Sequence, residues 1–178
     1  MSCSSSAGRR SLVAVGVPAL VVTLGVGGVL VGAPRVGGPL EAASAVAVEF
    51  PLREGQTGTW GVVLPSNPTV SRITIEAIEA MDGHGLEVVA ILLNDPERDG
   101  GIGSLDAFPP PGIHARAADG ARLPPVGSAS PYLQVLVGVR LTGSGDGTIA
   151  ALRMRYRHDG TTYETELPYT LRVTHESE

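Results

Sequence analysis

Few residues in this chain could do chemistry, and the densest group runs from Asp95 to Asp106, DPERDGGIGSLD. Counted from Asp95, carboxylates fall at positions 1, 3, 5 and 12, with glycine at 6 and isoleucine at 8. Carboxylates that alternate along a loop can turn successive oxygens toward one hard cation, and a glycine lets the backbone bend sharply around it. Asp95, Glu97, Asp99 and Asp106 are therefore the candidate ligands of a calcium ion, and no other cofactor is indicated. The four histidines, at 84, 114, 158 and 175, are scattered. Met81 and His84 are a copper-type pair in type, but no second soft ligand lies near them, so His84 reads as a surface residue of the Asp82-Gly83-His84-Gly85 turn. The lone Cys3 excludes an intrachain disulfide and a multi-cysteine metal site. No nucleophile elbow, P-loop, HExxH or pair of catalytic carboxylates occurs, so no catalytic residue is nominated.

The run 95–106 resembles the calcium loop of EF-hand proteins over its twelve residues. It departs from that pattern in Glu97 at position 3, Pro96 at position 2 and the shorter Asp106 at position 12, and its flanks read as a strand and a proline-rich loop instead of paired helices. The resemblance implies the weak calcium affinity of extracellular modules, with Kd roughly 10⁻⁴–10⁻³ M.

The elements that must position these residues follow from charge and periodicity. All 13 basic residues are arginine, against 18 acids, for a net charge of −5 with no basic run, which argues against a nucleic-acid partner. Residues 11–34 (SLVAVGVPALVVTLGVGGVLVGAP) carry no charge, with Arg9-Arg10 before them and Arg35 after. About 20 apolar residues suffice to cross a bilayer as a helix. The arginine excess on the N-terminal side places residues 1–10 in the cytoplasm and the remainder outside. An uncleaved anchor is favoured, because a secretory apolar region is usually about 7–15 residues long. The alternative is secretion after cleavage near Ala45, where Ala43-Ser44-Ala45 offers small residues. Arg9-Arg10-Ser11-Leu12 also resembles a twin-arginine export signal. Gly28 and Gly32 form a GxxxG pair through which two such helices could approach as a homodimer. Residues 35–45 read as a short tether. Residues 46–178 carry ten arginines against seventeen acids, a net charge of −7.

Within 46–178 several runs alternate with period two and none shows a helical period. Strands are expected over 45–53, 59–65, 69–80, 85–94, 132–142, 148–158 and 161–174, separated by Gly, Pro, Asn and Asp turns. The run 69–80 is the one that could turn helical at its Glu/Ala-rich end, and 85–94 reads as a central strand. Asp159-Gly160 suits a two-residue type I′ turn. That register sets Tyr156 opposite Tyr163, Leu152 opposite Leu167, Arg155 opposite Glu164 and Arg153 opposite Glu166. The stretch 95–131 holds 7 of the 14 prolines and 6 glycines, a length at which loops are functional or disordered. Gly112–Ala117 within it could pair as an edge strand. Without this stretch the exported part has 96 residues, close to the ~100 of an immunoglobulin-type domain. The expected fold is all-β: an antiparallel immunoglobulin-like sandwich of about seven strands with Trp60 in its core.

The lysine-free, Ala/Gly/Val/Arg-rich composition, the Arg-Arg anchor and the LRMRYRHDGTTY hairpin at 152–163 resemble the membrane-anchored exported proteins of high-GC Gram-positive (actinobacterial) type. That resemblance implies a cell-envelope setting and no reaction. The expectation is a non-catalytic binding or scaffolding module outside the cell. Its partner would be an envelope protein or cell-wall component, met by loop 95–131 or along an edge strand. A calcium-dependent binding module is the alternative and an exported enzyme the second alternative.

Overall fold

The computed structural model describes residues 33–129 and 132–177. Nearly all of the expected membrane segment, with Gly28 and Gly32, lies outside the described residues, as does Cys3. Among the described residues no helix is long and apolar enough to cross a membrane.

In chain order the strands are β1 (Arg35–Val36), β2 (Val46–Leu52), β3 (Thr57–Val63), β4 (Ile73–Met81) and β5 (Leu86–Asn94). One helical turn, α1 (Pro96–Asp99), precedes three short strands, β6 (Ser104–Leu105), β7 (Arg116–Ala117) and β8 (Arg122–Leu123). Then come β9 (Gln134–Leu141), β10 (Gly147–Ile149), β11 (Ala151–His158), β12 (Thr161–Leu167) and β13 (Tyr169–His175). They form three sheets: a hairpin sheet ordered β1-β12-β11-β4-β8, a small sheet ordered β10-β13-β2, and a third ordered β6-β3-β9-β5-β7.

One apolar cluster joins all three sheets. Leu52 and Leu171 come from the small sheet, Ile75, Leu152 and Tyr156 from the hairpin sheet, and Trp60 and Val137 from the third. Leu133, Val135, Val137, Val139 and Leu141 are buried on one face of β9, as their alternation requires. Each such side chain removed from water contributes about 1.5–3 kcal/mol, so apolar packing holds the sheets together without a disulfide.

The chain is therefore mostly β with several sheets, but it is not purely antiparallel. β13 runs parallel to β2, and β1 parallel to β12. Two long runs expected as single strands each divide between sheets. The first breaks at Ala150 into β10 and β11, the second at Pro168 into β12 and β13. Proline lacks the N–H that a continuous ladder would use, so the strand changes sheet there. Of the run expected over 69–80, residues 73–80 lie in β4 with no helical end while 69–72 precede the strand, and β9, not β5, is central in its sheet.

The β11–β12 hairpin has the expected register residue for residue, Tyr156 facing Tyr163 and Arg153 facing Glu166. Asp159 and Gly160 both have positive φ, 45° and 76°, as a type I′ turn demands. The ion pairs differ from those expected. Arg153 reaches diagonally to Glu164 at 3.4 Å, and Arg155 and Arg157 both turn to Glu76 at 3.6 Å. A register shift between β4 and β11 at Arg155/Tyr156 brings Glu76 between the two arginines.

The segment 35–45, expected as a tether, is laid on the domain. β1 adds to the edge of β12, with Arg35 paired to Tyr163. Gly37 donates its N–H to Glu164 O (2.9 Å), and its own carbonyl accepts the Tyr156 hydroxyl (2.8 Å). A side chain at Gly38 would overlap that hydroxyl and the Tyr163 ring. Leu40 and Ala43 pack against the core, and Glu41 bonds Ser66 through side chain and backbone.

Candidate functional site

Residues 95–129 belong to the long connection between β5 and β9, and most of that connection is built onto the domain in two sections. The first, 95–111, lies as a strap on the outer face of the third sheet. The outer face of β9, opposite the core, presents Gln134, Leu136 and Gly138, and all three are buried. Gly138 leaves the space that the Phe108 ring fills; a β-carbon there would stand 2.6 Å from the ring. Gly61 on β3 likewise leaves room for the Ile102 carbonyl. The Gln134 amide then takes both backbone groups of Ile102, accepting its N–H (2.9 Å) and donating to its carbonyl (2.5 Å). Asn94 donates to Gly100 O (2.9 Å), the Thr59 hydroxyl bonds Ala107 O, and β6 pairs with β3. These groups give the strap's backbone the partners that burial demands.

The second section, 112–123, ties the hairpin sheet to the third sheet along one side. β7 pairs with β5 and β8 with β4, so one short stretch joins edges of two sheets. Ala118 donates to Ile91 O and Ile75 donates to Ala121 O between them. Of the edge strand expected over 112–117, only Arg116–Ala117 pairs as a strand, β7.

The structure places the four candidate calcium ligands at separate tasks. Asp95 caps α1, its carboxylate accepting Glu97 N–H at 3.1 Å. Glu97 is exposed on that turn. The Asp99 side chain is only 6% exposed and is taken by His114, whose Nδ1 donates at 2.9 Å and whose backbone N–H donates at 3.3 Å. Asp106 lies elsewhere, lining a cleft of about 510 Å³ with Arg53, Glu54, Gln56 and Glu176. The strap's path over β3 carries it away from Asp95 and Asp99. Among the described residues no three His, Cys, Asp or Glu side chains gather where they could hold one ion. His84 bridges in backbone to Thr148, and its Nδ1 donates to Asp82 O.

The hydrogen bond from the His114 ring holds the Asp99 carboxyl below the ordinary carboxylate range. The Arg172 guanidinium and the His175 N–H do the same for Asp146. Burial pushes the Tyr156 and Tyr169 hydroxyls up. Around Asp99 a cavity of about 190 Å³ has an apolar floor of Leu93 and Leu133 and a rim of Asp95, Arg98, His114 and Arg116. Sequence reasoning reached Asp95 and Asp99 but missed His114 and Arg116, because their approach depends on how the strap folds back.

The class defined here is a mostly-β, multi-sheet domain with an ordered strap. No family model and no curated protein matches the chain. Two solved structures show distant similarity. One is the VesB protease of Vibrio cholerae, at TM-score 0.38 and 8% identity, covering 76% of this chain but only 32% of that one. The other is a PapD-like domain of human CEP192, at TM-score 0.37 and 13% identity, covering 82% of this chain and 92% of that domain. The chain thus spans about a third of the protease it partly matches.

Proposed function

We propose that this protein is a membrane-tethered, non-catalytic immunoglobulin-like module of the cell envelope, which displays the strap as its binding face on the extracytoplasmic side. The observation that carries this reading is the strap's anchorage. A stretch of proline- and glycine-rich chain is held by Gln134, Asn94 and Thr59 on a rigid sheet. Binding residues concentrate on loops that a rigid scaffold positions. Beside the strap's helical turn, Arg98 meets His114 and Arg116 of the second section around a small cleft with an apolar floor.

The competing edge-strand surface is poorly suited. Val46 donates to Pro168 O and Leu52 accepts from Glu176, so Ala47, Glu49 and Pro51 turn their backbone groups outward on β2. A charge and a proline among three outward positions blunt an edge against pairing. The docking of Leu40 and Ala43 favours retention of the N-terminal segment, since cleavage near Ala45 would remove β1 and the partner of the Tyr156 hydroxyl.

The test is photocrosslinking in intact cells with the reactive group at position 114 or at position 49. Adducts from 114 and none from 49 are expected. Adducts from 49 alone would move the binding face to the β2 edge.

A further inference from the structure

The end of the domain at which the apolar segment arrives has a composition of its own. β1 begins at Arg35, immediately after the uncharged run ends at Pro34, and is already paired with β12. In sequence, the first paired strand therefore follows that run directly. Along this end of the hairpin sheet, Arg157 pairs with Thr162 on one side and Thr74 on the other, and Thr74 pairs in turn with Arg122. Arg72 precedes β4 at the same end. Val126 donates to Thr69 O at 3.1 Å, which brings it beside Val70. Arg35, Arg72 and Arg122 are exposed, and among the described residues none of the three is ion-paired. Three of the most exposed valines accompany them: Val36 at 93%, Val70 at 88% and Val126 at 58%.

This is a segregated surface. The domain carries −7 as a whole, yet this end offers three guanidinium groups without ion pairs, interleaved with bare apolar side chains, against the exposed Asp159 of the hairpin turn, which lies 3.5 Å from His158. Arginine near an anionic lipid surface gains from the surface potential, while its stem and neighbouring apolar groups enter the interface. We infer that this end of the hairpin sheet rests on the membrane and that Arg35, Arg72 and Arg122 bind anionic phospholipid headgroups. The inference rests on the tether reading proposed above. It adds an orientation: the opposite end, where the 82–85 turn meets Thr142, points away from the lipid. β4 alone separates the two ends by nine residues, roughly 30 Å of extended chain.

The experiment uses the full chain with Cys3→Ser, a single cysteine at Val70 or at Ser144, and an environment-sensitive dye on that cysteine. The protein is reconstituted into phosphatidylcholine vesicles with and without phosphatidylglycerol, carrying a headgroup spin label. Quenching at position 70 should exceed that at 144 several-fold, and should grow with phosphatidylglycerol. Arg72→Glu with Arg122→Glu should abolish that growth and the corresponding lysine pair should keep it, each arginine being worth about a fivefold shift toward contact. Equal quenching at both positions, or indifference to charge reversal, would overturn the inference while the tether stands. Release of the chain from the vesicles by alkaline carbonate would overturn both.

Discussion

Gln134 uses the two ends of its amide on one residue of the strap, and among the described residues it is the hydrogen-bond partner of both Ile102 backbone groups. Gln134→Ala leaves a part-buried N–H and C=O of Ile102 without their partner. It should cost about 1–3 kcal/mol in chemical denaturation while the far-ultraviolet spectrum stays that of a β protein. An unchanged midpoint would mean that the strap is not held by this contact. Asp99 makes the corresponding prediction for pH. Its folded carboxyl titrates below the ordinary aspartate range, so it contributes stability above that range. The contribution is lost as pH falls through the folded value. The acid limb of stability, followed between about pH 5 and pH 2, should be steeper in the native protein than in Asp99→Asn. Asp146 keeps its own contribution in both, so the limb should flatten without vanishing. With Asp106 standing apart from Asp95 and Asp99, millimolar calcium should leave the thermal midpoint where it is. A rise that Asp99→Ala abolishes would restore the metal reading.

The β11–β12 hairpin is the element that could be read in full from its residues, because a two-residue Asp-Gly turn dictates a register and alternation then dictates both faces. Gly160, at φ 76° with no atom near an added β-carbon, isolates that backbone requirement. Gly160→Ala should cost about 1–2 kcal/mol in thermal or chemical unfolding with no loss of packing. A neutral result would show that the turn relaxes to another type. The alternation that predicts the core face of β9 does not show what covers its other face. Gln134 and Gly138 have the composition of a solvated surface and are covered by residues some thirty positions away. The same locality limits the arginine stripe. Its hairpin partners are legible, but Glu76 comes from β4, which pattern alone does not place beside β11.

At the scale of the molecule, a β class, the approximate strands and the buried Trp60 follow from alternation and turn chemistry. The division into three sheets, the parallel pairings of β1 and β2, and the docking of 35–45 do not. Each joins segments distant in sequence, and period-two patterning is the same for parallel and antiparallel neighbours. The candidate site was legible only as a suspicious stretch, 95–131; of the four acidic residues nominated there, the fold uses Asp95 as a cap and Asp99 as a latch. The account depends on that stretch being a fixed layer of the domain. Amide hydrogen exchange on the full chain tests this directly. The amides of Ile102 and of β6 should exchange as slowly as those near the ends of β3, and Gln134→Ala should release them selectively. Rapid exchange across 95–129 beside a protected β3 and β9 would contradict it, and the proposed binding face would lose its scaffold.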